Sequence, residues 1–106
     1  MDQENNLISR AFQAFMTEAP QHAAAWGEMV QGLGKASALD AKTSALAYLA
    51  VLAALGANSG VPFHVQTAKN AGATRDEVIS AVLIGLPVAG HRVTQALPVA
   101  IDAFGG

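Results

Sequence analysis

The feature that most constrains the fold is a stretch of eleven uncharged residues, ALAYLAVLAAL, from Ala45 to Leu55. Its apolar residues fall on every side of a helix, and such a helix is normally buried all round. Asp40 is suited to cap the start of this helix, and Gly56 is suited to end it. The stretch is too short to cross a bilayer, which takes about 20 residues. It therefore predicts the central helix of an all-α protein.

Apolar spacing, glycines and prolines divide the rest of the chain into further helices, giving about six in total, and no strand-like alternation is present. Asn5 or Asn6 is suited to cap a first helix. The apolar face of that helix would consist of Leu7, Ile8, Ala11, Phe12 and Phe15. Pro20 fits the first turn of a second helix. Gly32 and Gly34 are expected to end this second helix.

The second half of the sequence contains equally local signals. A helix is expected to begin near Pro62 and to end at Gly72. Thr74 and Glu77 have the spacing of a capping box at the start of the next helix. The segment that contains Pro87 and Gly90 should break that helix. Pro98 should kink or split the last one, because proline removes a backbone hydrogen bond and clashes with the preceding turn.

The composition predicts that the chain is one domain, residues 1–106, and an obligate oligomer. Hydrophobic residues make up 52% of the sequence and charged residues only 13%. Soluble domains average about 45–50% apolar and about 25% charged residues. A chain of this size has too much surface to bury so many apolar side chains alone. Some of them are therefore expected to cover a partner subunit.

Charge and residue usage narrow the classes of function. The net charge is −2 and no basic stripe is present, so we expect no nucleic-acid partner. The sequence contains no cysteine, which excludes disulfides, thiolate metal sites and cysteine nucleophiles. The N-terminal residues lack the pattern of a signal peptide. These features predict a cytoplasmic protein without a membrane partner.

The histidines do not predict a metal site. His22, His64 and His91 are not at the short spacings of metal ligands, and no carboxylate joins them at helical spacing. We therefore expect no metal and no cofactor. His64, beside Phe63 and Val65 in the first turn of a helix, is either a half-buried structural residue or a functional one. His91 and Arg92 follow Gly90 and form either a surface cap or an anion site.

An ordered set of short motifs resembles the carboxymuconolactone decarboxylase family, which includes the alkyl hydroperoxidase D-like thiol peroxidases. The motifs are Leu39-Asp40-x-Lys42-Thr43, the apolar helix, His64-x7-Gly72-Ala73-Thr74 and Asp76-Glu77-Val78. They extend over roughly Pro20 to Gly90. The resemblance implies the alkyl hydroperoxidase D-like helical fold and assembly as a trimer or hexamer.

The peroxidase branch of this family uses a glutamate followed by Cys-x-x-Cys-x-x-x-His. Alignment on His64 places the glutamate at Ala45 and the two cysteines at Ala57 and Gly60. Thiol peroxidation needs one thiolate to attack the peroxide and a second thiol to resolve the sulfenic acid. The resemblance therefore carries over only His64, and peroxidase activity is disfavoured.

The decarboxylase branch also lacks the cysteine pair and has a histidine at the position of His64. Its Trp-Gly-Glu segment resembles residues 26–28, and its Leu-Ala-Ala-Leu-Gly segment resembles residues 52–56. This resemblance implies an enzyme that acts on a small anionic or lactone substrate, with His64 as acid/base. His91, Arg92 and Lys69 are further candidates for binding substrate carboxylates.

Three hypotheses about function follow from the sequence. The first is the cysteine-independent enzyme just described. The second is a non-catalytic oligomeric binding module, which the loss of the glutamate at Ala45 favours. The third is a thiol peroxidase that takes its thiols from a separate partner. An enzyme would bind a small-molecule anion at a pocket that contains His64.

Overall fold

A computed structural model describes residues 8–106, which form seven α-helices, two 3₁₀-helices and no strand. The α-helices are α1 (Arg10–Glu18), α2 (Pro20–Ala36), α3 (Ala41–Leu55), α4 (Val61–Asn70), α5 (Arg75–Leu83), α6 (Leu86–Ala89) and α7 (Ala96–Phe104). The 3₁₀-helices are Asn58–Gly60 and Gly90–Gln95. The predicted all-α fold is confirmed, and α6 is a single turn of four residues.

Helices α1 and α2 form an N-terminal hairpin. The Ser9 hydroxyl caps α1 by accepting a hydrogen bond from the backbone N–H of Phe12 at 3.1 Å. Asn5, Asn6 and Leu7, where the sequence predicts the start of the first helix, lie outside the described residues. Pro20 occupies the first turn of α2, as predicted, because its fixed φ suits that position.

The prediction that Gly32 and Gly34 end α2 is wrong. The helix continues to Ala36 and ends because Ser37 adopts an extended backbone conformation, with φ −75° and ψ 139°. A glycine inside a helix costs only about 1 kcal/mol relative to alanine and does not by itself break the helix. The backbone of Ser37 to Asp40 then connects the hairpin to α3.

Helix α3 has the predicted ends. The Asp40 carboxylate accepts a hydrogen bond from the Thr43 N–H at 2.7 Å, and Gly56 adopts the left-handed conformation, with φ 73°. The prediction that α3 is buried all round is wrong. Leu49 is fully buried, whereas Val51 and Leu55 remain 55% and 68% exposed. The reason is that α4, α5 and the second 3₁₀-helix pack against only part of its circumference.

The hydrophobic core lies between α3, α4, α5 and α7, with α4 packed closely against both α3 and α7. It is made mainly of small side chains, which allow the helix axes to approach closely. In the described part of the chain, no polar or charged residue is fully buried. The buried residues are Ala45, Leu49, Ala53, Val61, Val65, Ala68, Ala73, Val78, Ala81, Val82, Val93, Ala96 and Ala100.

The capping box at the start of α5 is confirmed. The Glu77 N–H donates to the Thr74 hydroxyl at 3.1 Å, and the Thr74 N–H donates to the Glu77 carboxylate at 2.9 Å. The same carboxylate forms a salt bridge with Lys42 on α3 at 2.9 Å. One glutamate therefore both caps α5 and connects it to the central helix.

The last third of the chain is divided as the glycines and prolines predict. Helix α5 ends at Leu83, and Gly90 turns the chain with a φ of 76°. The expected split near Pro98 occurs between the 3₁₀-helix Gly90–Gln95 and α7. Pro98 is the third residue of α7, where a backbone N–H has no partner within the helix, so the proline loses no hydrogen bond there.

Two long-range hydrogen bonds hold the end of α7 against the middle of the chain. The Lys69 ammonium donates to the Phe104 carbonyl at 2.7 Å, and the Arg75 guanidinium donates to the Gly106 carbonyl at 2.9 Å. Positive charge near the C-terminal end of a helix is favourable because the helix dipole is negative there.

The segment from Arg75 to Phe104 is long and apolar enough, by length and composition alone, to cross a membrane. It is not one straight helix, because the chain turns after Leu83 and again at Gly90. The segment also supplies Val82, Val93 and other residues to the hydrophobic core. Packing within the domain therefore accounts for part of its apolar character, while Ile84 and Val88 stay exposed.

Candidate functional site

A groove of about 590 Å³ lies between α2 on one side and α3 with α4 on the other. It forms because α2 and α3 each present side chains at i, i+3, i+4 and i+7, the spacing of one helical face. We call it the His64 groove. Its walls are Trp26, Met29, Val30, Leu33, Gly34, Ser37, Ala41, Ser44, Ala45, Tyr48, His64 and Thr67.

His64 is the fourth residue of α4 and is half-buried in the wall of this groove. Its imidazole ring stacks on the Tyr48 ring, with the two centroids 4.2 Å apart and the planes 22° from parallel. The Phe63 ring meets it edge-on at 5.2 Å. The two aromatic rings hold the imidazole in place, and no residue of the described chain forms a hydrogen bond with it.

Burial lowers the pKa of His64 below its ordinary value of 6.5, because desolvation disfavours the charged imidazolium. The imidazole is therefore mostly neutral at pH 7. A neutral imidazole carries one hydrogen-bond donor and one acceptor. It is thus able both to accept a proton and, once protonated, to return it readily.

The other polar side-chain groups of the groove are the hydroxyls of Ser37, Ser44, Tyr48 and Thr67 and the indole N–H of Trp26. The Thr67 hydroxyl donates to the Phe63 carbonyl within its own helix, at 3.1 Å. Among the described residues, none of those that line the groove is charged. The groove therefore suits a ligand with an apolar body and a small number of hydrogen-bonding atoms.

The positions that hold redox residues in the peroxidase branch are separated in this structure. Ala45 is buried and lines the groove with His64. Gly60 is the last residue of the short 3₁₀-helix before α4, and Ala57 directly precedes that helix. Neither residue lines the groove. A side chain at Gly60 would meet Leu52 at 3.4 Å, so the loop packs closely on α3.

The structure does not bring His91 and Arg92 to the groove. Both are exposed in the second 3₁₀-helix, and the Arg92 guanidinium lies 3.7 Å from where Gly56 would carry a Cβ. Arg92 is thus at the C-terminal end of α3, where its charge favours the helix dipole. Lys69 instead binds the Phe104 carbonyl. A role for these cations in binding substrate stays a prediction.

Sequence reasoning missed Tyr48 as a partner of His64. It is the only tyrosine of the chain and lies in the middle of the uncharged helix. The sequence signal that could have identified Tyr48 was its hydroxyl group. A tyrosine among alanines and leucines often lies where the protein meets solvent, because one end of its side chain is apolar and the other polar. The structure also places Trp26 and Met29 in the groove wall.

A second groove, of about 480 Å³, lies on the opposite side of α3, between α3 and α5. Its walls are Thr43, Leu46, Ala47, Ala50, Asp76, Glu77, Ser80, Ala81 and Ile84. Of its two carboxylates, that of Glu77 is already paired with Lys42. It contains no histidine and no stacked ring pair, so the His64 groove is the better candidate for a functional site.

Comparisons with known proteins agree with this fold. Residues 20–102 match the model of the carboxymuconolactone decarboxylase family. The structure is also similar to the crystal structure of an apo carboxymuconolactone decarboxylase family protein from Legionella pneumophila. That similarity has a TM-score of 0.75 and 26% sequence identity and covers 89% of this chain and 84% of the other. The comparison with curated proteins gave no match.

Proposed function

The chain belongs to the carboxymuconolactone decarboxylase family, and from this premise we propose that it is a cysteine-independent enzyme of that family. The substrate is a small lactone or a small carboxylate-bearing molecule that binds in the His64 groove. His64 is the acid/base. The Tyr48 ring holds the imidazole, and the apolar side chains of α2 cover the body of the substrate.

One observation carries this proposal. His64 is half-buried on the wall of an open groove, its ring is stacked on Tyr48 at 4.2 Å, and nothing in residues 8–106 hydrogen-bonds it. A histidine with a structural role commonly donates a ring N–H to a backbone carbonyl or a carboxylate. An imidazole that is held by a stacked ring but has no hydrogen-bond partner in the protein is able to form a hydrogen bond with a ligand.

The chemistry follows from the state of the imidazole. In a decarboxylation, the bond between the substrate carbon and its carboxylate breaks, carbon dioxide leaves, and the electron pair stays conjugated with a neighbouring carbonyl. Imidazolium formed from His64 and a solvent proton then donates that proton to the carbon. The lowered pKa of His64 makes its protonated form a better acid, because burial disfavours the charge.

The groove wall favours one orientation of the substrate. Since no charged side chain lines it in the described residues, a carboxylate buried at its base would lack a counter-ion. A lactone ring against the Tyr48 and His64 rings, with any carboxylate directed to solvent, avoids that cost. A lactone with a single carboxylate at the groove mouth is therefore a better fit than a molecule with two buried carboxylates.

A non-catalytic binding module is the second candidate. The observation in its favour is Ala45, which lines the groove where the peroxidase branch has a glutamate. No carboxylate within the described groove orients the imidazole, and histidine bases usually have such a partner. A binding module would bind the same ligands without turnover. Thiol peroxidase activity is disfavoured because the chain has no cysteine to form the thiolate.

The test is a screen of small lactones and carboxylates by thermal shift and by product detection, repeated with His64→Gln. Glutamine retains hydrogen bonding and similar bulk but does not titrate. His22→Gln is the matched control, since His22 is exposed on α2 and outside the groove.

We expect His64→Gln to abolish turnover and His22→Gln to leave it unchanged. If both variants still bind a ligand and the wild type forms no product from it, the result would favour the binding module. An identical response of wild type and His64→Gln in both assays would remove His64 from the site. Circular dichroism of the variant would show whether the fold is retained.

A further inference from the structure

The apolar face that α2 presents to the His64 groove is only partly covered within residues 8–106. It consists of Trp26, Met29, Val30 and Leu33, spaced at i, i+3, i+4 and i+7, which we call the α2 face. These side chains are 40% to 62% exposed, and none belongs to the hydrophobic core. The α2 face therefore offers apolar contact that the packing of the described chain does not use.

We propose that the α2 face binds the unbranched apolar chain of an amphiphilic substrate whose lactone ring lies against His64 and Tyr48. The substrate class is thus a lactone that carries a long alkyl chain, rather than a bare lactone ring. The position of the ring rests on the proposed function. The site for the chain is inferred from the groove itself.

The helices that form the groove define its two ends. A short loop joins α2 to α3, so Ser37 and Ala41, which both line the groove, mark its loop end. Trp26 and Tyr48 are the lining residues farthest from this loop on their two helices. They mark the opposite end, and His64 lies there because its ring stacks on Tyr48. The α2 face extends between these two ends.

Polar groups that lack a hydrogen bond are concentrated at the His64 end. Among the described residues, nothing hydrogen-bonds the imidazole of His64, the hydroxyl of Tyr48 or the indole N–H of Trp26. The hydroxyl of Ser44, one helical turn before Tyr48, also has no partner there. This end of the groove is therefore able to form several hydrogen bonds with a polar ring.

The other two hydroxyls of the groove are already engaged with the backbone. The Thr67 hydroxyl donates to a carbonyl of its own helix at 3.1 Å, and the Ser37 hydroxyl accepts from a loop N–H at 3.1 Å. No charged side chain lines the groove within the described part of the chain. A carbon chain that leaves the His64 end along α2 thus meets little that needs a polar partner.

This distribution fits an amphiphile better than a protein surface. An apolar helix laid along the groove would bury the imidazole and the Tyr48 hydroxyl without hydrogen bonds, which weakens binding. A ligand with one polar end satisfies those groups with its ring oxygens. It places only carbon against the α2 face.

The length of the α2 face sets the length of the chain. Trp26 and Leu33 are seven residues apart, which corresponds to about 10 Å along a helix. An extended chain spans about 3.5 Å for every three bonds, so roughly eight or nine carbons reach from one residue to the other. The groove volume of about 590 Å³ also lies within the range of about 300–1,000 Å³ that is typical of sites for drug-sized ligands.

The first test is a series of γ-lactones of increasing chain length: γ-hexalactone, γ-octalactone, γ-decalactone and γ-dodecalactone. Trp26 is the only tryptophan of the chain and lies in the groove wall, so its fluorescence reports binding there. A fully buried methylene tightens binding by roughly fourfold. Because an open groove covers about half of the chain, we expect the dissociation constant to fall by about fourfold for each added pair of methylenes.

The second test removes apolar contact at the far end of the α2 face. Leu33→Gln keeps similar bulk but is polar. We expect γ-dodecalactone to bind this variant several-fold more weakly than the wild type, and γ-hexalactone to bind both equally. Leu55→Gln is the matched control, because Leu55 lies outside both grooves and is 68% exposed, against 62% for Leu33. It should bind the whole series as the wild type does.

Failure of this proposal is distinguishable from failure of the proposed function. Unbranched alcohols of matching chain length keep the chain and lack the lactone ring. If their affinity also rises with chain length and Leu33→Gln reduces that rise, the chain site is supported even when no lactone is turned over. His64→Gln should weaken all lactones by the same factor and leave the dependence on chain length unchanged.

Three results would overturn the chain site. The first is an affinity for lactones and alcohols that does not change with chain length, which would leave the α2 face to a protein partner. The second is equal binding of γ-dodecalactone by Leu33→Gln and the wild type. The third is an equal loss in Leu55→Gln. Turnover of short lactones that depends on His64 would in each case support the proposed function alone.

Discussion

The N-terminal hairpin and the helical core differ in where they place their large apolar side chains. No residue of α1 or α2 is fully buried, although the hairpin contains the only tryptophan and several other large apolar residues. The core holds every buried residue of the described chain, and most of them are alanine or valine. Every core residue is apolar, but no aromatic side chain is among them. Small side chains fill this core because they allow the helices to pack closely.

The two regions are also held together differently. In the hairpin, the Trp26 ring packs edge-on against Phe12 at 5.2 Å and Phe15 at 6.3 Å, and α1 and α2 pack mainly on each other. In the core, α4 packs against α3 and α7 together. The His64 groove lies between the two regions, so one of its walls is anchored in the core and the other is not.

The largest expected effect tests whether stability is concentrated in the core. Leu49→Ala should destabilise the protein by about 2–5 kcal/mol, because it leaves a cavity at a fully buried position. Leu33→Ala, at an exposed position on α2, should change stability by no more than about 0.5 kcal/mol. Urea denaturation of both variants measures the difference. Equal losses would show that the hairpin and the core are one cooperative unit.

The second prediction concerns the aromatic contacts of the hairpin. Trp26→Ala should weaken the hairpin by about 1–3 kcal/mol, since each aromatic pair contributes about 0.5–1.5 kcal/mol. Hydrogen exchange should show faster exchange in α1 and unchanged protection in α4 and α7. Met29→Ala is the control on the same face of α2, without an aromatic contact. Faster exchange throughout α4 would contradict the separation of the two regions.

The third prediction tests a cap that belongs to the core alone. Thr74→Ala removes the hydroxyl that accepts the Glu77 N–H and should cost about 0.5–2 kcal/mol. Thr74→Ser retains that hydroxyl and should cost much less. The denaturation midpoint should fall while hydrogen exchange in α1 is unchanged. A midpoint that does not move would mean that the capping box contributes nothing to stability.

The smallest expected effect is the pH dependence that His64 contributes at the boundary of the two regions. Its pKa is lowered from 6.5 by burial, so the unfolded chain binds a proton more readily than the folded one. The free energy of unfolding should therefore fall as the pH decreases from 6.5 through the pKa of His64 in the folded protein. Above pH 6.5, His64 should contribute no pH dependence. His64→Gln should flatten the profile, whereas His22→Gln should not. A rise in stability on acidification would reverse the sign and exclude a desolvated imidazole.

Much of the fold was predictable because its signals are local. Asp40, Gly56 and the Thr74–Glu77 pair each act on a backbone group within four residues, and the structure confirms all three. The open side of α3 was not predictable, because it depends on how many other helices reach that helix. The continuation of α2 past Gly32 was missed because a glycine permits a helix as well as a turn.

The candidate site was predictable only in part. His64 was identified from the family resemblance, but its contact with Tyr48 depends on the rotation of α3 relative to α4, which no local pattern encodes. The same holds for the distance of Arg92 from the groove. Residues that are sixteen positions apart, such as Tyr48 and His64, become neighbours only when two helices pack.

The packing of α7 against α4 has a consequence for the order of folding during synthesis. A ribosome completes the hairpin well before α7, and domains generally fold as the chain emerges, from the N-terminus onward. The contacts between Phe12, Phe15 and Trp26 need only the first 26 residues. The core, in contrast, lacks one wall until Ala96 and Ala100 have been translated. The nascent chain should thus expose the apolar sides of α3, α4 and α5 during this interval, when chaperones would have access to them.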